Sequence, residues 1–167
     1  MKKAFVFDFD DTLATTKAAI LVHGVGACWT SYTLKLSPSE FNDYELKDGE
    51  EFDFSEFRQP RLVENGKPTE LIKLAKEVYD EDHSVYILTA RSDDMSGAIA
   101  KFLKMQGIEA KQIICVGDKD ETTGIAADKK RSLRMIMMAY DKIYFYDDNE
   151  KNVELAQSIG VKSYLVN

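Results

Sequence analysis

A chain of 167 residues with 44% hydrophobic and 31% charged residues has the make-up of an ordinary globular protein, long enough to bury a real core in one domain (1–167) with a modest insertion. A net charge of −7 argues against an extended nucleic-acid surface or an anionic-membrane footprint, although a local basic cluster can still grip one phosphate. No stretch reaches the ~20 apolar residues of a membrane span. Asp8 cuts the run after Lys2-Lys3 too early for a signal peptide, and Cys28 and Cys115 read as two reduced thiols, so the expected compartment is the cytoplasm.

Ala4 to Phe9 is short, bulky and β-prone, the pattern of a central strand buried on both faces. It ends in Asp8, Asp10 and Asp11, whose mutual repulsion a hard divalent cation such as Mg²⁺ relieves. Ala18–Val22 and Ala27–Leu36 flank Gly24-Val25-Gly26 and predict a hairpin. Ser37-Pro38-Ser39-Glu40 is a capping box with proline at the first helical position, predicting a short helix to about Tyr44. Glu51–Phe54 reads as one more short strand. The segment from about Ala14 to Asn65 therefore reads as an insertion, a cap or flap on a core sheet.

The core resumes with an amphipathic helix over Pro68–Asp82, followed by a strand at Ser84–Leu88 that ends in Thr89-Ala90-Arg91. A helix capped by Asp93 or Asp94 and stopped by Gly107 leads to a strand at Gln112–Val116. A helix from Lys129 to about Tyr140 precedes a strand at Ile143–Tyr146, which runs into Asp147-Asp148-Asn149. A helix over Asn152–Ile159 and a strand over Val161–Val166 close the chain. This alternation predicts an α/β fold, a Rossmann-like parallel sheet with helices on both faces, and ligands at the carboxyl ends of its strands.

The predicted sheet edge gathers Asp8, Asp10, Thr89, a lysine at the head of the 129–140 helix, Asp147 and Asp148. This set suits phosphoryl transfer through an aspartyl phosphate. Asp8 is the candidate nucleophile, and Asp10 the acid that protonates the leaving oxygen and then takes a proton from water. Thr89 and the lysine would hold the transferring phosphoryl group. Asp8, Asp147, Asp148 and the backbone carbonyl of Asp10 would form the Mg²⁺ shell.

Lys129 shares a helical face with Leu133 and Met137, which points it inward in preference to Lys130. Thr89 has a second reading as a strand-end hydroxyl satisfying backbone, and Asp147-Asp148 a second reading as a helix cap. Arg91 is a candidate substrate-phosphate ligand or a partner of Asp93 or Asp94. Arg58, Arg61 and Lys67 form either a basic entry or solvated surface. Trp29 and Tyr32 either stack on an aromatic substrate or bury the flap. His23 and His83 lack ligand spacing, and Asp118 and Asp120, which follow a strand, either approach the site or belong to a solvated loop.

Val6-Phe7-Asp8-Phe9-Asp10-Asp11-Thr12 resembles the first signature of the haloacid dehalogenase (HAD) superfamily, mostly Mg²⁺-dependent phosphohydrolases. Ile87-Leu88-Thr89 resembles the second signature, the Lys129 region the third, and Phe145-Tyr146-Asp147-Asp148-Asn149 followed by Asn152 the acidic fourth. The resemblance implies a Rossmann-like core with a cap inserted after the first signature, where Ala14–Asn65 lies. The phrases Leu36–Phe41 and Asp53–Phe57 are similar to small virus-encoded members. The implied reaction is hydrolysis of a phosphomonoester, with a nucleotide, a polynucleotide 3′-phosphate or a small phosphorylated metabolite as substrate. A phospho-accepting module of the response-regulator type and an idle binding protein of the same fold are the alternatives.

Overall fold

The chain enters the core through β1 (Lys3–Phe7), whose side chains pack into two different hydrophobic layers. The computed structural model describes residues 1–117 and 124–167. After β1 come β2 (Ala14–Thr15), β3 (Ile20–Val25), β4 (Ser31–Leu36), α1 (Pro38–Asp43) and β5 (Glu51–Asp53). Next are α2 (Pro60–Glu64), β6 (Lys67–Pro68), α3 (Ile72–Asp80), β7 (Ser84–Thr89), α4 (Ser96–Met105) and β8 (Gln112–Cys115). The last are α5 (Ile125–Met137), β9 (Lys142–Asp147), α6 (Glu150–Gln157) and β10 (Lys162–Leu165).

Among the described residues the main sheet has five parallel strands in the order β10-β9-β1-β7-β8. Alternation along β1 sends Phe5 and Phe7 toward α3 and α4, where Ala75, Val78, Ile99 and Phe102 are buried. Ala4 and Val6 turn to the opposite layer with Leu133 and Ile136 of α5 and Ala156 of α6. The α/β architecture expected from the strand–helix alternation is the one observed. From β1 the chain builds outward through β7 and β8, then crosses back to β9 and β10 on the other flank. The order reverses beside β1, which opens a crevice at the carboxyl ends of β1 and β9.

A three-stranded antiparallel sheet, β4-β3-β5, stands apart from the main one. The chain leaves for it at β2 and returns at β6, and these two pair with each other, Ala14 opposite Pro68 and Thr15 opposite Lys67. Its small core is Ile20, Val22 and Leu36, packed by Phe41, Tyr44, Phe52 and Phe57. The hairpin forms, but its turn comes later than the glycines suggest: Gly24 and Val25 belong to β3, opposite Tyr32 and Ser31, and Ala27–Trp29 is a 3₁₀ turn. The short strand lies where the sequence places it. The capping box of α1 is made in both directions, Ser37 Oγ accepting from Glu40 N and Glu40 accepting from Ser37 N. Val63 of α2 is fully buried in the main core, so the end of this excursion packs with the large sheet.

Some boundaries differ from the sequence reading. The helix read from Pro68 begins at Ile72, because Lys67 and Pro68 are spent pairing with β2. Asp93 and Asp94 lie in a 3₁₀ turn, Asp93–Met95, that leads into α4 instead of capping it. The helix read from Lys129 begins one turn earlier, at Ile125, after Gly124 with φ of 72°. Trp29 is 88% exposed at the hairpin tip, neither burying the flap nor lining the crevice, and Tyr32 instead donates to Glu50 Oε1 at 2.5 Å. Asp118 and Asp120 lie outside the described residues.

Candidate active site

Asp8 is the first residue past β1, and its N–H still donates to Tyr146 O at 2.9 Å, which prolongs the β1–β9 ladder. The chain then turns sharply. Phe9 O accepts from the amides of Thr12, Leu13 and Ala14, and Asp11 takes a left-handed φ of 57°. Phe9 and Leu13 are fully buried and anchor the turn in the core. Asp8 and Asp10 both line the crevice.

Across the switch point, Asp147 ends β9 with no exposed surface. Its Oδ1 accepts from Asn149 N at 2.9 Å, and its Oδ2 accepts from Asn152 Nδ2 at 3.0 Å and from Lys129 Nζ at 2.7 Å. Lys129 reaches from the second turn of α5, buried, and also donates to Asp8 Oδ1 at 2.8 Å. Thr12, fully buried, lies 3.4 Å from Asp8 Oδ2 and 3.5 Å from Asp148 Oδ1. Asn149 caps α6, accepting from Lys151 N and Asn152 N, so the acidic turn and the helix cap share one structure.

Asp8, Asp147 and Asp148 bring carboxylate oxygens within 4.8 Å of one another. Three carboxylates against one ammonium leave two net negative charges in a buried place, the amount one divalent cation cancels. Burial, with Asp147 and Asp148 adding to it, pushes the Asp8 carboxyl well above the ordinary value, against the pull of Lys129. Burial also raises Asp148, with Asp147 adding to it. For Lys129 burial opposes the charged form, yet Asp8 and Asp147 hold its pKa above the ordinary lysine value.

Thr89 ends β7, buried, with its Oγ1 accepting from Arg91 N at 3.2 Å. Arg91 donates from Nε to Asp10 Oδ2 at 2.8 Å and from Nη2 to Asp10 Oδ1 at 2.7 Å. Its carboxylate partner is therefore Asp10, where the sequence reading had offered Asp93 or Asp94. Local spacing favours a neighbour in sequence, but the parallel pairing of β1 and β7 sets their carboxyl ends side by side.

A cavity of about 620 Å³ opens from this cluster toward the smaller sheet. Asp8, Asp10, Thr89, Arg91, Lys129, Asp147 and Asp148 all line it, and Phe41, Phe54 and Phe57 form part of its far wall. Arg58 and Lys151 are also on the lining, whereas the lining does not include Arg61 or Lys67. Asn149 Nδ2 reaches Asn42 Oδ1 at 3.4 Å, linking α6 to the end of α1. Sequence reasoning named Thr12 and Asn152 only as parts of the first and fourth signatures and Phe57 only within the phrase Asp53–Phe57, and assigned none of them a contact in the site.

Solved structures share this fold. The chain superposes over its full length on 46% of a chain in the Pnkp1/Rnl/Hen1 complex, with a TM-score of 0.63 and 14% identity. It matches a HAD-family enzyme of Bacteroides thetaiotaomicron, solved with magnesium and inorganic phosphate, over 99% of this chain and 94% of that one, with a TM-score of 0.50 and 14% identity. A haloacid dehalogenase-like hydrolase of Streptococcus pneumoniae matches over 98% of this chain and 84% of that one, with a TM-score of 0.53 and 15% identity. The fold is the HAD fold. No family model matches the sequence, and no curated protein resembles it closely enough to register. The chain spans about half of the Pnkp1-complex chain, and no described helix of this HAD fold is long and apolar enough to cross a membrane.

Proposed function

We propose that the protein is a Mg²⁺-dependent phosphomonoesterase that works through an aspartyl phosphate on Asp8. The observation that carries this reading is the convergence of Asp8, Asp147 and Asp148 within 4.8 Å, beside a buried Lys129, at the switch point of the sheet. Asp8, Asp148 and the Asp10 carbonyl would hold the cation, which when bound offsets charge on the phosphoryl oxygens. Asp147 acts behind them. Its Oδ1 is taken by one donor and its Oδ2 by two, so it would hold Lys129 while Asp148 would offer an oxygen to the ion.

In the first half-reaction a carboxylate oxygen of Asp8 forms a bond to phosphorus as the bond to the leaving oxygen breaks, and Asp10 gives that oxygen a proton. Thr89 and Lys129 donate to the phosphoryl oxygens. In the second half, water attacks phosphorus, its proton passes to Asp10, and the Asp8–phosphorus bond breaks to release inorganic phosphate. The acid–base group ends as it began.

The leaving group we favour is a nucleotide, as at a polynucleotide 3′-phosphate end. Phe54, 45% exposed, and Phe41 offer aromatic surface in the cavity, and Lys151 lies on the same lining for a second anion. The likeness to a chain of an RNA-repair complex is consistent with this choice. With only two cysteines, Cys28 exposed and Cys115 buried at the end of β8, the chain suits a reducing compartment, the cytoplasm.

Hydrolysis of 4-nitrophenyl phosphate with and without Mg²⁺, by wild type and Asp8→Asn, tests the reaction. Mg²⁺-dependent release that vanishes in Asp8→Asn, with the fold retained by circular dichroism, is the expected result. Turnover by that variant at a tenth or more of the wild-type rate would overturn it. Stable labelling by acetyl phosphate without turnover would favour the phospho-accepting alternative.

A further inference from the structure

We propose that Arg91 is a positioning residue for Asp10 and not a ligand of the substrate phosphate, and that it ties the aim of Asp10 to the seating of the smaller sheet. The inference rests on Asp10 being the acid–base group. Arg91 holds both carboxylate oxygens of Asp10, at 2.7 and 2.8 Å, in the paired geometry that fixes a carboxylate plane. Its other bonds go to the excursion between β2 and β6: Nη1 donates to Phe57 O at 2.7 Å and Nη2 to Thr16 Oγ1 at 3.3 Å. The Phe57 ring lies 4.8 Å from the guanidinium carbon, and the Arg91 side chain is 1% exposed.

Four of the five guanidinium N–H groups are thus committed inside the protein. A phosphate that bound Arg91 through its fork would have to displace Asp10, the group needed at the leaving oxygen. Asp10 keeps lone pairs outside the fork, so it can carry and return a proton while the pairing holds it. The backbone beneath is equally constrained. Arg91 N donates to Thr89 Oγ1, Gly117 N donates to Arg91 O at 3.1 Å, and a Cβ on Gly117 would sit 2.3 Å from Ala90 O. Arg91 therefore joins three parts of the molecule, the turn after β1, the end of β7 and the smaller sheet, and Asp10 is aimed only when all three are seated.

The leaving-group dependence of kcat/KM separates positioning from phosphate binding. Wild type, Arg91→Lys, Phe57→Leu and Asp10→Asn would be assayed on aryl phosphates from 4-nitrophenyl to phenyl and on an alkyl phosphate, with inhibition by inorganic phosphate measured alongside. A nitrophenolate leaves without a proton, whereas an alkoxide needs one. Lysine keeps the charge but loses the fork, and leucine removes the ring under the guanidinium while leaving the Phe57 carbonyl. Arg91→Lys is expected to lose about 10-fold or more on the alkyl ester and less than about 3-fold on the 4-nitrophenyl ester, out of the 10²–10⁴ that a general acid supplies.

Phe57→Leu should lose in the same selective pattern, to a smaller extent, and inhibition by phosphate should stay unchanged in both variants. An equal loss across the series, weaker phosphate inhibition, or no change of slope in either variant would overturn the proposal. Asp10→Asn is the control for the reading beneath it. If that variant shows no steepening either, the acid–base assignment itself fails, which is a different result from a flat Arg91→Lys series beside a steep Asp10→Asn one.

Discussion

Asp147 and Asp148 are adjacent carboxylates at the end of one strand, yet the structure gives them opposite effects on stability. Asp147 is fully buried and its oxygens accept from Lys129, Asn149 and Asn152 at 2.7, 2.9 and 3.0 Å. An asparagine there halves the ionic partners of a buried ammonium and turns an amide N–H₂ toward other donors. Breaking a buried pair in this way costs about 3–5 kcal/mol. For a chain of 167 residues that lowers Tm by roughly 10 °C.

Asp148 is half-buried, lies 3.5 Å from Thr12, and adds a repulsive charge to Asp8. Asp148→Asn should leave Tm in EDTA unchanged or raised. In wild type, Mg²⁺ at about ten times its Kd should restore roughly 1.4 kcal/mol, or several degrees. That gain should disappear in Asp148→Asn. Thermal melts of the three proteins in EDTA and in MgCl₂ read all of this. Equal losses of Tm for both variants in EDTA, or an undiminished Mg²⁺ shift in Asp148→Asn, would refute the division of labour.

The same charges set a pH dependence. Raised folded-state carboxyls mean that Asp8 and Asp148 bind more protons in the folded than in the unfolded state, so their contribution to metal-free stability is most favourable at acid pH and falls as pH rises from 3.8 through their raised values. The Tm advantage of Asp148→Asn over wild type in EDTA should therefore grow with pH and vanish below pH 4; a constant difference would contradict the cause assigned. Gly117→Ala places a methyl group 2.3 Å from Ala90 O and should cost about 1–3 kcal/mol in urea unfolding, with a selective loss on alkyl phosphates as Arg91 shifts. Phe54→Ala should raise KM for a nucleoside 3′-phosphate several-fold while leaving 4-nitrophenyl phosphate hydrolysis within about twofold. Equal effects on the two substrates would remove Phe54 from the leaving-group site.

Local pattern was enough for the strand–helix alternation, the existence of the hairpin and the capping box of α1, because periodicity and a Ser-x-x-Glu spacing act over a few residues, while glycine punctuation set the hairpin's turn too early, Gly24 being part of β3. It also reached the list of acidic and hydroxyl groups at the strand ends, since residues that follow parallel strands share one edge of the sheet. Helix starts were less legible: α5 begins after Gly124 with no side-chain cap and no proline, and Asp128 is the one acidic residue in its first turn. What waited for the tertiary structure was the choice of partners. Lys129 spans Asp8 and Asp147, which lie 121 and 18 residues away, and Arg91 takes Asp10 across 81 residues with the Phe57 carbonyl behind it. Those pairings depend on β1 lying between β7 and β9, a strand order that no stretch of chain records in its own composition. Side-chain chemistry was present in the linear chain; which charge answers which was decided only when the sheet brought distant ends together.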